Sequence, residues 1–190
     1  MIGLINLLKP PGPTSHDMVN WLRRLLGTRQ IGHLGTLDPG AAGVLPICVG
    51  PATRLAEYMA DWVKKYRVEV LLGIETDSQD FFGKIVRSNR NSRLTEEHIQ
   101  ESIEQLIGQQ EQIPPMLSAV KQGGKRLYQL AREGKQVVRK PRTISVHEIT
   151  IQRIQSIQDC PRVIFDVTVS KGTYIRTLCA DLGDKLGCGG

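Results

Sequence analysis

The stretch 163–169 restricts the fold of this 190-residue chain more than any other segment. Its apolar residues recur at every second position: Val163, Phe165, Val167 and Val169. Because Asp166, Thr168 and Ser170 alternate with them, the pattern predicts a strand with one buried and one polar face. The buried face of such a sheet must be covered by other elements, usually helices.

Three segments with helical spacing of apolar residues supply that cover. Their predicted core positions are Met18, Val19, Leu22, Leu25 and Leu26; Ile99, Ile103, Leu106 and Ile107; and Ile175, Leu178, Cys179, Leu182 and Leu186. Helices are predicted from Thr14 or Ser15 to Gly27, over about 52–61, from Thr95 onward, near 126–133 and over 173–187.

The remaining apolar runs are bounded by proline, glycine or polar turns and are predicted to be strands. They lie at 2–8, 44–50, about 63–73, 84–88, 143–153 and 162–170. The stretches 28–43 and 75–83 are predicted to be a loop and a turn. Because the connections differ in length, we expect one domain of the α/β (α+β) class, with a mixed, largely antiparallel sheet flanked by helices.

Composition excludes several classes of protein. No apolar run approaches the roughly 18 residues of a membrane span, and the first residues do not resemble a signal peptide. The four cysteines, at 48, 160, 179 and 188, form no CxxC pair, which favours free thiols in a reducing cytoplasm over disulfides or a metal site. With 25 Lys+Arg against 19 Asp+Glu, the net charge of +6 is a mild indication of a polyanionic partner.

The loop Gly32–Gly43 contains the first candidate for chemistry. Asp38 precedes a proline, which favours an extended backbone and a fixed carboxylate, although Asp-Pro-Gly is also a good turn sequence. Both interpretations stay open from the residues alone. The glycine spacing matches neither a phosphate-binding loop nor a dinucleotide fingerprint, so a nucleotide cofactor is not expected.

Three further residues have two interpretations each. Arg176 falls in the first turn of the last helix, where a cation opposes the helix dipole, so either a carboxylate partner compensates or solvent does. Tyr66, after Lys64 and Lys65, is a core aromatic or a residue that stacks on a base. A histidine such as His33 is, on its own, more often a hydrogen-bonded loop histidine than a catalyst.

The segment 108–142 is polar and basic and is interrupted by Pro114-Pro115 and Gly123-Gly124. Such a long polar segment between regular elements often forms a binding loop. Its cations are Lys121, Lys125, Arg126, Arg132, Lys135, Arg139, Lys140 and Arg142. Only two acidic residues, Glu111 and Glu133, oppose them, which favours a nucleic-acid-binding surface over a merely solvated face.

Taken together, these residues identify a resemblance. The chain resembles the TruB-type tRNA pseudouridine synthases, which convert a uridine of the TΨC loop (position 55) to pseudouridine. The matching blocks run in order along nearly the whole chain: Lys9–Ser15, Gly32–Gly43, Gly50–Thr53, Lys64–Tyr66, Leu72–Asp77, Gln112–Pro115, Ser118–Lys121, Leu127–Tyr128 and Ser170–Thr177.

The resemblance implies a role for each candidate and the pseudouridine synthase fold. Asp38 is expected to be the catalytic aspartate, paired with Arg176, and Tyr66 to stack against the flipped base. His33 is expected to enter the T-loop. The other residues implied in substrate and RNA binding are Lys9 and Pro10, on the floor of the site, Lys64, and Lys121, Lys125, Arg126 and Arg132, in a thumb formed by 108–142.

The reaction is an isomerisation without redox change, so neither a cofactor nor a metal is expected. The expected partner of this cytoplasmic protein is the T-arm of tRNA, bound by a monomer, with no membrane.

The sequence departs from the family pattern at two positions. Ala42 stands where the family often has threonine, and Leu117 stands where an aromatic residue is common. Since family members continue beyond the point matching Gly190, with a small RNA-binding domain in bacteria, residues 1–190 are expected to be a truncated catalytic domain.

Two other functions stay open. A non-catalytic RNA-binding module or tRNA-folding chaperone could keep the basic surface and Tyr66 without needing the carboxylate of Asp38. A related synthase acting on guide-selected or ribosomal RNA would share the catalytic residues and differ in its appended regions.

Overall fold

The computed structural model describes residues 1–59, 61–89, 94–157 and 160–190. The chain forms two compact units, Met1–Trp62 and Val63–Gly190. Among the described residues, no helix has the length and apolar character needed to cross a membrane. The sequence also predicts a polar turn of Arg, Asn and Ser residues after the strand at 84–88, and most of that turn lies outside the described residues.

The first unit is a three-stranded antiparallel sheet with a helix packed on it. Strands β1 (Gly3–Lys9), β2 (Ile31–His33) and β3 (Gly43–Val49) are arranged in the order β1-β3-β2. Helix α1 (Ser15–Leu26) contributes Val19 and Leu22 to the core, which it shares with Ile31, Leu45, Ile47 and Val49.

The ends of α1 follow from local sequence. Thr14 caps the helix by accepting a hydrogen bond from the backbone of Asp17, whose carboxylate accepts one from the backbone of Thr14 in return. Gly27 ends the helix at φ 61°, a left-handed conformation that glycine adopts without strain. Both boundaries agree with the prediction.

Three details of the first unit were wrong in the prediction. The stretch 28–43 is not entirely loop, because β2 pairs with β3 from Ile31 to His33. Leu25 is 63% exposed, since it lies outside the face that α1 packs on the sheet. The helix expected over 52–61 consists of a 3₁₀ helix, Gly50–Leu55, and the short helix α2, Ala56–Met59.

The second unit has a four-stranded antiparallel sheet of β4 (Lys64–Leu71), β7 (Gly108–Gln112), β10 (Arg142–Ile157) and β11 (Cys160–Val169). Their order across the sheet is β4-β11-β10-β7. In β11 the four residues of the alternating pattern are buried, as predicted. Every pairing among the described strands is antiparallel.

Two helices cover the buried face of this sheet. Helix α3 (Glu96–Glu104) begins after its cap Thr95, and helix α5 (Ile175–Lys185) contributes Leu178 and Leu182 to the core. Ile107, predicted to be buried, is 47% exposed because α3 ends at Glu104. The hairpin of β5 (Ile74–Thr76) and β6 (Ile85–Ser88) replaces part of the predicted turn at 75–83.

The segment 108–142 begins within the sheet. Its first five residues are β7, which pairs with residues 142–146 of β10, so the part outside this sheet is 113–141. That part contains a hairpin of β8 (Lys121–Gln122) and β9 (Lys125–Arg126), followed by helix α4 (Leu127–Arg132). The hairpin loop is Gly123-Gly124, and both glycines have positive φ, as a tight two-residue turn requires.

Candidate active site

Asp38 lies on the loop between β2 and β3, in the first unit, and is exposed. Its backbone carbonyl accepts a hydrogen bond of 3.0 Å from the amide of Ala41, which closes a tight turn through Pro39 and Gly40. The turn interpretation of Asp-Pro-Gly is therefore correct for the backbone. It does not compete with a functional role, because the turn leaves the carboxylate at the surface.

Lys9 holds this turn from beneath. Its side chain is fully buried, and its ammonium group donates to the carbonyls of Pro10 (3.1 Å), Pro39 (3.1 Å) and Ala41 (2.8 Å). Three acceptors match the three donors of a charged lysine. Burial lowers the pKa of Lys9, and the nearby charge of Asp38 acts in the opposite direction.

Two more residues of the segment Lys9–Ser15 hold the same loop. The hydroxyl of Ser15 donates to the carbonyl of Leu37 (3.0 Å) and accepts from its amide (2.9 Å), while the amide of Gly12 donates to the carbonyl of Pro39 (2.8 Å). The backbone is thus fixed immediately before and after Asp38. The sequence indicated Ser15 only as a possible helix cap, so this contribution was missed.

His33 is the last residue of β2, where it pairs with Ile47 of β3 and is partly buried. Burial lowers the pKa of its imidazole, and this effect exceeds the opposing influence of the nearby Gly35 backbone. The imidazole is therefore neutral at pH 7. Its Nδ1 is buried and has no hydrogen-bond partner among the described residues.

Tyr66 lies in the second unit, on β4, opposite Val167 of β11. It shares the face of β4 that buries Val68 and Val70, and its partly buried side chain packs against their core. Lys64 lies two residues earlier on the same face and is also partly buried. Tyr66 is thus at the margin of the core, where a ring can both pack inward and offer a face to a ligand.

Two substitutions separate these roles of Tyr66. If the ring stacks on a base, as the resemblance implies, Tyr66→Ala should remove most of the activity per folded molecule, whereas Tyr66→Phe keeps the stacking surface. We expect Tyr66→Ala to lower the free energy of unfolding by no more than about 2 kcal/mol, less than the 3–5 kcal/mol typical of a fully buried ring. Denaturant unfolding and single-turnover assays on both variants measure this. Full activity per folded molecule of Tyr66→Ala would assign Tyr66 to the core alone.

Arg176, in the first turn of α5, ties two loops to that helix. Its guanidinium donates to the carbonyls of Ser78 (3.3 Å) and Leu117 (2.8 Å). The neighbouring Thr177 donates to the side chain of Gln79 (2.9 Å) in the same turn as Ser78. Because Asp38 belongs to the first unit and Arg176 to the second, their pairing stays a prediction.

The start of α5 is fixed by a buried glutamine that the sequence did not indicate. The side-chain amide of Gln112, the last residue of β7, donates to the carbonyl of Tyr174 (3.1 Å) and accepts from its amide (2.8 Å). Gln112 is only 2% exposed. This pair of bonds satisfies the amide and the carbonyl of Tyr174, two residues before Arg176. It also connects the start of the segment 113–141 to helix α5, which carries Arg176.

The basic residues of the hairpin and α4 are exposed, as a binding surface requires: Lys121, Lys125, Arg126 and Arg132. One acidic residue partly compensates them. Glu133 accepts hydrogen bonds from Lys125 (2.8 Å) and Lys135 (2.9 Å), which lower the pKa of its carboxyl to about 2.

The described residues contain no cluster of three or more His, Cys, Asp or Glu that could hold a metal ion. All four cysteines are buried free thiols, as predicted. Burial raises the pKa of Cys179 to about 12, so this thiol is not a nucleophile at neutral pH.

Solved structures identify the fold. The chain matches a chain of the crystal structure of a Cbf5–Nop10–Gar1 complex with a TM-score of 0.71 and 33% identity, over 98% of this chain and 45% of that one. A second match, with a TM-score of 0.70 and 29% identity, is a chain of an H/ACA RNP bound to a substrate RNA containing 2′-deoxyuridine. The fold is that of the pseudouridine synthases.

Sequence comparison identifies the family. The model of the TruB family pseudouridylate synthase (N terminal domain) matches residues 23–175. The tRNA pseudouridine synthase B of Alkaliphilus oremlandii is 51% identical over 190 residues, and that of Symbiobacterium thermophilum is 52% identical over 189. The chain covers 62% of the length of each of these relatives. The chain belongs to the TruB family of pseudouridylate synthases.

Proposed function

We propose that this chain is the catalytic domain of an isomerase that converts uridine to pseudouridine in the T-arm of tRNA, at position 55. One observation carries the proposal: an exposed carboxylate, Asp38, stands on a loop whose backbone is held by Lys9, Gly12 and Ser15. Names of relatives about 50% identical to the chain agree with this activity.

The proposed reaction breaks the N1–C1′ glycosidic bond, turns the base and joins C5 to C1′. C5 loses its proton and N1 gains one, so the atoms balance. Reactant and product are isomers, so no electrons are exchanged with a cofactor. Attack of Asp38 on C1′, attack on C6, and removal of the C2′ proton to give a glycal all require the same ionised carboxylate. The firmly held loop fixes its position in each case.

The uridine must leave its stack before Asp38 can reach the sugar, which costs a few kcal/mol. Stacking on the ring of Tyr66, worth about 1–3 kcal/mol, offsets much of this cost. In this proposal His33 enters the T-loop as an uncharged hydrogen-bonding group, and Arg176 is the residue proposed to pair with the carboxylate and orient it. Pro10 and Lys9 form the floor, and Lys64 contacts the backbone of the RNA.

Segment 113–141 is proposed to hold the RNA as a thumb. Its exposed cations on the hairpin and α4 suit phosphate contacts, which position an RNA without reading its sequence. Selection of the T-arm would then depend on the shape of its loop and on the extruded base. We further propose that the enzyme acts as a monomer in the cytoplasm.

The test is incubation of the purified chain with unmodified tRNA, followed by carbodiimide mapping of pseudouridine. We expect one modified uridine, in the TΨC loop, and no modification of a tRNA whose T-loop is replaced by a stable tetraloop. Binding without any modification would support the non-catalytic RNA-binding module. Modification only of ribosomal or guide-paired RNA would support the related synthase.

The thumb assignment makes a prediction about salt. Lys121→Gln combined with Arg126→Gln should reduce the slope of log affinity against log salt by roughly 1–2, because each phosphate contact contributes about 0.7–0.9. Lys121 and Arg126 are chosen because Lys125 is already paired with Glu133. Fluorescence anisotropy with a T-arm hairpin at several salt concentrations measures the slope.

The control for this prediction is Lys84→Gln combined with Lys185→Gln, which removes two exposed charges outside the segment 113–141. If both double variants change the slope equally, net charge alone explains the effect and the thumb assignment is wrong.

A further inference from the structure

Tyr128, in the first turn of α4, has two arginines over its ring. The guanidinium carbon of Arg126 lies 6.0 Å from the ring centroid and that of Arg132 lies 5.5 Å from it. Both distances are in the range of cation–π attraction. Arg126 immediately precedes α4 and Arg132 is its last residue, so one ring positions cations from the two ends of the helix.

The cations of this surface fall into two groups. Lys125 and Lys135 are paired with Glu133, whose carboxylate neutralises part of their charge. In the part of the chain that the structure describes, neither Arg126 nor Arg132 has a carboxylate within ion-pair distance. Contact with an aromatic ring leaves the full positive charge of these two guanidiniums in place.

The backbone that carries this ring is firmly held. The amide of Tyr128 donates to the carbonyl of Ser118 (3.1 Å), and the amide of the preceding Leu127 donates to the carbonyl of Val120 (2.8 Å). The side chain of Leu127 is 1% exposed. The backbone of α4 is therefore anchored where it carries the ring, before any ligand arrives.

A guanidinium held against a ring keeps its N–H donors at its edge, where they can bind oxygens. We propose that Tyr128 is a positioning residue that holds Arg126 and Arg132 as a prearranged pair for phosphodiester groups of the RNA backbone. This inference rests on the proposed RNA substrate. Because the ring orders the two arginine side chains beforehand, they lose less conformational freedom when they bind RNA.

The test measures the affinity of the full chain for a T-arm hairpin by anisotropy. Tyr128→Leu is expected to weaken binding about 5- to 10-fold, and Tyr128→Phe, which keeps the ring, to change it less than 2-fold. Because Tyr128→Leu keeps both charges, the salt slope should stay close to that of the parent. Arg126→Gln with Arg132→Gln should instead reduce the slope by about 1–2.

The decisive comparison is Tyr128→Leu introduced into the Arg126→Gln/Arg132→Gln background, where it should have no further effect. Melting temperatures of all variants show whether α4 stays folded. An equal loss in both backgrounds would mean that Tyr128 contacts RNA by itself and would overturn the inference, as would unchanged binding by Tyr128→Leu. Failure of the proposed function is recognised separately, because in that case the parent chain itself binds no RNA.

Discussion

Asp38→Asn is expected to reduce pseudouridine formation below detection, a loss of at least about 10³-fold, while RNA affinity changes only a few-fold. The amide has nearly the shape of the carboxylate but can act neither as an anionic nucleophile nor as a base. Asp38 is exposed and its turn is closed by backbone atoms, so the substitution leaves the fold intact. Single-turnover assays with excess enzyme and anisotropy binding measure the two quantities.

A matched control for this variant is Asp61→Asn, which changes an exposed aspartate of the same unit outside the loop. It should retain parental activity. Turnover by Asp38→Asn within about 10-fold of the parent, in a preparation free of wild-type enzyme, would remove Asp38 from the chemical step. Loss of RNA binding in parallel with activity would instead indicate a role in recognition.

Segments with a single strong period were predicted well. The alternation in 163–169 became β11, and the cap Thr14 and the terminating Gly27 bound α1 where the sequence placed them. These signals are local, since each depends on residues within one strand or one helical turn. The antiparallel character of the sheets also followed from the sequence.

Elements formed by pairing with distant partners were missed. The strand β2 has three residues in a glycine-rich stretch, and β7 is a polar strand, Gly108–Gln112, at the edge of its sheet. Neither has an apolar period, because a short or edge strand obtains its hydrogen bonds from a neighbour far along the chain. Local patterns do not contain that information.

In the candidate site, too, local sequence does not reveal the contacts that depend on residues far apart in the chain. Lys9 was identified only through resemblance, and its function in the structure is to hold a loop 30 positions away, through its bond to Pro39. A lysine after an apolar strand is usually an exposed end, and nothing in the neighbouring residues predicts its complete burial. Three backbone carbonyls from two different segments make that burial possible.

Replacing this lysine has the second large expected effect. Lys9→Met keeps most of the side-chain volume but removes all three hydrogen bonds to the loop. The carbonyl of Pro39 keeps its bond from Gly12, while those of Pro10 and Ala41 lose the bond from Lys9. Hydrogen bonds from a charged donor contribute about 1.5–3 kcal/mol each, so we expect their loss to lower the free energy of unfolding measured with urea by about 2–4 kcal/mol.

Activity should fall further than stability explains, because the carboxylate of Asp38 is no longer held in one position. In buffer without urea, and at a temperature where Lys9→Met is fully folded, we expect pseudouridine formation to fall about 10²-fold. The control is Lys65→Met, an exposed lysine on β4, which should change the unfolding free energy by less than about 0.5 kcal/mol. Parental activity in folded Lys9→Met would show that the loop keeps its geometry without the ammonium group, and Lys9 would then contribute to stability alone.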